Sequence, residues 1–91
     1  RLRRIHEPVQ KIRYIYGLIL DSFVNTKVQI KKSDTSLQIY DKSKVINEIE
    51  QQMHDITCIY NDVRYGNKVP DENELEKAEK NCVDIVGRLK A

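Results

Sequence analysis

One spacing recurs three times along this chain and dictates what it can fold into. Ile46, Ile49, Met53, Ile56, Tyr60 and Val63 follow one another at alternating steps of three and four residues. Steps of that size return to the same side of an α-helix on every turn, so the six side chains form a single apolar stripe. Ile5, Val9, Ile12, Ile15, Ile19 and Phe23 repeat the pattern upstream, with Leu18 and Leu20 widening it. Leu75, Ala78, Cys82, Ile85 or Val86, and Leu89 repeat it downstream. Three such stripes must cover one another to leave water, which predicts an all-α fold, an antiparallel three-helix bundle joined by short loops. Only three glycines and two prolines occur in 91 residues, which favours helix over a β fold.

The punctuation of the chain sets the expected boundaries of one domain over residues 1–91, with helices near 8–30, 43–65 and 72–90. Pro8 suits a first helical turn. Val28 and Ile30 either extend that helix or lead out of it. Residues 31–36 form a polar break, in which Asp34, Thr35 and Ser36 offer oxygens for a turn or a cap. Leu37, Ile39 and Tyr40 make an apolar cluster ahead of the second helix, whose main part Asp41 or Ser43 would cap. Gly66-Asn67 is a helix stop. Pro70-Asp71 opens the third helix, and Asp71 with Glu74 has the spacing of a capping box. The chain begins at Arg1 rather than methionine and reads as a piece of a longer protein.

Charge narrows the function classes. The net charge is +2, but residues 1–45 hold ten Lys/Arg against four Asp/Glu, while residues 46–91 hold six against ten. The two halves attract each other within a bundle, and neither carries the single-sign excess of a nucleic-acid surface. The longest apolar run, Tyr14 to Leu20, is far short of the roughly 20 residues of a membrane span. Cys58 and Cys82 form no disulfide framework, which fits unpaired thiols in a reducing, intracellular compartment such as the cytoplasm.

Catalytic chemistry has little to work with. His54, Cys58 and Asp62 stand four apart on one helical stripe, the best constellation in the chain. A structural zinc needs four well-placed ligands, and only His6 could add an imidazole. A Cys58/His54 nucleophile pair lacks an orienting third group and an oxyanion hole. The expectation is a non-enzyme without metal or cofactor. Arg1, Arg3 and Arg4 read as a solvated basic tail. Five tyrosines are many for 91 residues, and tyrosine favours interfaces because it buries area while keeping a polar tip. Tyr60 fits the core, whereas Tyr14, Tyr16 and Tyr65 fit core or interface.

Three stretches together resemble a BAG domain, the three-helix module of co-chaperones. Pro8-Val9-Gln10-Lys11-Ile12, with Ile15 and Ile19, is similar to the family's opening proline, lysine-isoleucine pair and apolar repeat. Met53 through Asp62-Val63 resembles its second helix, a methionine-containing apolar run ending in an aspartate. Ala78-Glu79-Lys80-Asn81-Cys82-Val83, with Val86 and Leu89, resembles its third. The resemblance spans residues 5–90. It implies a protein partner, the nucleotide-binding domain of a seventy-kilodalton heat-shock chaperone, whose ADP release such modules accelerate. It also implies a grip by polar residues of helices two and three, here Gln52, Asp62, Glu79 and Lys80. Asp62 and Lys80 match the family's pattern. Gln52 stands where the family has a glutamate, Glu79 where it has an arginine and Gly87 where it has a glutamine. The charge reversal at Glu79 would turn an ion pair with that partner into a repulsion. The other expectation is an assembly or structural bundle, joined to a different protein or to a second copy through its stripes.

Overall fold

The computed structural model describes residues 7–24 and 26–90, with Asn47 and Lys90 described by their backbone only. Ile5, His6 and the arginines at 1, 3 and 4 lie outside the described residues. Helices α1 (Pro8–Ser22), α2 (Ser36–Ser43), α3 (Glu50–Tyr65) and α4 (Glu72–Lys90) follow in order, with a 3-10 turn at Asn47–Ile49 leading into α3. The described residues are therefore all-helical, but they form four helices rather than three. The three long helices each pack on the other two, and α2 lies against α3.

The stripes meet as their spacing requires. Ile12, Ile15 and Ile19 of α1, Ile49 and its α3 neighbours Met53 and Ile56, and Ala78 and Ile85 of α4 are wholly covered. Burial of each large aliphatic side chain contributes about 1.5–3 kcal/mol.

The first predicted helix ends eight residues early, at Ser22, and hydroxyl groups take up carbonyls at its end. Ser22 Oγ donates to the Ile19 carbonyl at 2.5 Å and Thr26 Oγ1 to the Phe23 carbonyl at 2.6 Å. Such local side-chain bonds give the backbone an alternative to the helical ladder. Phe23 and Val28 then turn inward and are buried, pinning the irregular segment that follows. Val28 and Ile30 lead out of the helix.

The apolar cluster at 37–40 is a helix of its own. Thr35 caps it, with Thr35 Oγ1 accepting from the Gln38 N–H at 3.2 Å and the Gln38 side chain accepting from the Thr35 N–H at 2.8 Å. Ser36 Oγ donates to Asn61 Oδ1, which ties α2 to α3. Ser43 ends this helix rather than capping the next, since its Oγ donates back to the Tyr40 carbonyl at 2.6 Å. The helix expected from residue 43 accordingly starts at Glu50, and Ile46, half-buried, packs beside the core from outside α3.

The last two boundaries match the expected ones. The N–H groups of Gly66 and Lys68 both donate to the Asp62 carbonyl at 3.1 Å, and Asn67 takes the left-handed conformation at φ 53°. A Cβ at residue 66 would stand 2.9 Å from the Asp62 carbonyl oxygen, so only glycine closes α3 this tightly. The capping box of α4 is formed on both sides, Glu74 N–H to Asp71 Oδ1 at 2.8 Å and Asp71 N–H to Glu74 Oε1 at 3.2 Å.

Candidate functional site

Two surfaces collect the residues that can do something other than fold the chain. The first comprises the exposed residues of α3 and α4. Asp62 lies one turn from the end of α3, and the same residue whose carbonyl closes the helix leaves its carboxylate exposed. Lys80 is exposed on α4, where it borders a shallow depression with Glu79, Val83 and Asp84. Neither Asp62 nor Lys80 forms an ion pair among the described residues. Gln52 is half-buried near the start of α3.

Glu79 differs from these three. Its Oε1 meets Lys11 Nζ of α1 at 3.2 Å, so it faces a helix of its own chain. Gly87 is exposed, and a Cβ there would meet no atom within 4 Å, so the face has room for a larger side chain. Asp55 joins the two helices through Lys77 at 3.7 Å and accepts from Gln51 Nε2 at 3.1 Å.

Along the His54-Cys58-Asp62 stripe, His54 reaches Cys58 on one side and Asp55 on the other, with His54 Nδ1 3.6 Å from Asp55 Oδ1, and neither contact involves Asp62. Cys58 Sγ is 4.0 Å from His54 Nε2, a long sulfur hydrogen bond, and the His54 ring also meets the Tyr40 ring at 5.8 Å, edge on at 66°. Among the described residues no three His, Cys, Asp or Glu side chains converge on a point that would hold a metal. The second thiol, Cys82, is buried in α4, where desolvation, then the Glu79 charge, pushes its pKa up.

The second surface is a groove of about 990 Å³ where the end of α1, the 23–35 segment and the end of α3 meet. Its floor is an aromatic stack, with the Tyr16 and Tyr60 rings 3.9 Å apart and 13° from parallel. Arg64 Nη1 donates to the Tyr60 hydroxyl at 2.8 Å, and the guanidinium lies 5.5 Å over the Tyr65 ring. Burial, then the neighbouring Tyr60 and Tyr65, holds the Tyr16 pKa far above the usual phenol value. On the groove wall Asp34 accepts from the Lys31 N–H at 2.9 Å and pairs with Lys42 Nζ at 2.5 Å. The first of these bonds, then the second, holds the Asp34 carboxyl below its ordinary range.

None of the four residues implied by the family resemblance lines this groove. The Tyr60–Arg64 pair could have been read from the sequence, because residues four apart share a helix face. The Tyr16–Tyr60 stack could not, since it joins two helices whose register only the packed core determines.

No family model, no curated protein and no solved structure matches this chain. No helix among the described residues is long and apolar enough to cross a membrane.

Proposed function

We propose that this domain is a protein-interaction module of the BAG type, binding a partner through the outer face of α3 and α4. The partner that the sequence resemblance implies is the nucleotide-binding domain of a seventy-kilodalton heat-shock chaperone. The observation that carries the reading is the division of charge on α4. Lys80 points to solvent without an ion-pair partner, and Asp62 on the neighbouring helix does the same. Glu79 is drawn to Lys11. The reversed charge that departs most from the family's pattern is thereby held by an internal cation, so its repulsion toward a partner is reduced. The fourth helix is compatible with the reading because α2 covers α3 from the Asn61 side and leaves Asp62 exposed.

Calorimetric titration of the chaperone's nucleotide-binding domain with this protein tests the proposal, with ADP release followed in parallel. Micromolar or tighter binding that Asp62→Ala and Lys80→Ala each weaken supports it. An absence of both binding and accelerated ADP release sinks the chaperone assignment.

A further inference from the structure

The charges of the groove are not balanced within it. Asp34 is taken up by Lys42 and the Lys31 N–H. Lys31, Lys32 and Arg64 line the same groove and have no carboxylate partner among the described residues; Asp21 is the one acid lining it that is likewise unmatched. Arg64 is the best placed of the three cations. Its bond to the Tyr60 hydroxyl and its position over Tyr65 fix the guanidinium in advance. A side chain already held loses less freedom when it binds.

The groove floor holds a donor without an acceptor. Tyr16 is 4% exposed, and its hydroxyl has no hydrogen-bond partner among the described residues. That oxygen is closed to solvent, so its unmade bond belongs to the packing beneath the groove, and a ligand is held by the exposed side chains above it. The rim is apolar: Val24 and Tyr65 both line the groove and are about two-thirds exposed, at 68% and 66%.

We infer that this groove binds an acidic peptide segment of a partner protein. One carboxylate pairs with Arg64, in the two-point contact that a guanidinium makes with a carboxylate. Flanking carboxylates reach Lys31 and Lys32, and an apolar side chain between them lies against Val24 and Tyr65. A nucleic-acid strand fits less well. Three cations beside an unmatched Asp21 give little phosphate tracking, and the Tyr16 and Tyr60 rings are stacked on each other rather than offered to successive bases. This site is separate from the outer face of α3 and α4 and stands independently of the function proposed for that face.

Fluorescence anisotropy with a labelled peptide of alternating Glu and Asp around a central leucine tests the inference, beside the same peptide carrying Gln and Asn. The wild-type domain should bind the acidic peptide. Arg64→Gln should weaken that binding by about tenfold, as loss of a preorganised guanidinium–carboxylate pair does. A Lys31→Gln/Lys32→Gln variant should weaken it further and flatten its salt dependence. All three side chains are exposed, so helicity by circular dichroism should stay at the wild-type level. Asp62→Ala should leave peptide binding unchanged, which separates this site from the α3–α4 face. Equal affinity for the neutral peptide, or full binding in both variants, overturns the inference. So does tighter binding of a single-stranded oligonucleotide of equal charge.

Discussion

The α3–α4 hairpin and the segment from α1 to α2 reach order by different means. The hairpin is regular: α3 closes on Gly66, a short link follows, and Asp71 and Glu74 open α4. Its side chains enter the common core, face outward or, as Glu79 and Asp55 do, pair with a neighbouring helix. Among the described residues between Phe23 and Thr35 there is no helix, and two buried apolar residues, Phe23 and Val28, anchor a run held by Thr26, Asp34 and Lys42. The hairpin is thus stabilised by area and the segment by individual polar bonds. Area is forgiving of pH and salt, whereas single bonds are not. The groove is built mainly from the second region, and the face proposed to bind a partner from the first.

The largest effect separates the two by their cores. Ile56 is wholly covered at the centre of α3, and Ile56→Ala should cost about 2–5 kcal/mol in denaturant unfolding. Val28 is buried at the edge of the segment, and Val28→Ala should cost about 1–2 kcal/mol, the transfer value of two methyl groups. Equal losses would mean that the segment shares the central core and that the contrast is false.

A smaller effect tests the polar bonds directly. Thr35→Ala removes the cap of α2 and should cost about 1 kcal/mol, with amide exchange quickening in α2 before α4. Acid should act on the same place. The Asp34 carboxyl is held below its ordinary pKa, so the ionised form is the one that the fold stabilises. That contribution is present above the unfolded carboxylate pKa and is lost as pH falls through the lower, folded value. Amides of α2 should therefore lose protection in that acid window, and Asp34→Asn should show the loss already at neutral pH. Uniform loss across all four helices would remove the distinction.

The same contrast explains what could be read in advance. The stripes from Ile12 to Ile19, from Ile49 to Val63 and from Ala78 to Ile85 are repeated patterns, and repetition survives an error at any one position. The ends at Gly66 and Asp71 were legible because a turn glycine and a capping box are local. Ser22, Thr26 and Ser43 were not, because a hydroxyl can bond backward to a helix or cap one forward, and spacing does not distinguish the two. The apolar residues at 37–40 looked like an approach to the next helix because eight residues are too few to display a period. Of the candidate surfaces, exposure of Asp62 and Lys80 follows from the stripe each helix must bury. The Lys11–Glu79 bond and the Tyr16–Tyr60 stack depend on how the helices are rotated against one another, which no single helix records.

Lys11 and Glu79 offer the finest test, since they join α1 to the hairpin and bear on the partner as well. Both side chains keep some exposure, 20% and 37%, so the pair stabilises the fold by no more than about 1 kcal/mol. Glu79→Arg places there the arginine that the proposed BAG-type reading calls for and sets a second cation opposite Lys11. Its thermal midpoint should fall slightly, while affinity for the chaperone's nucleotide-binding domain should rise. Adding Lys11→Glu should return the midpoint by rebuilding the pair with its charges exchanged. The double variant should then hold its arginine inward, against α1, and give back part of the gain in affinity. Stability recovered with no change in affinity would mean that residue 79 does not reach the partner, and the interface would have to rest on Asp62 and Lys80 alone.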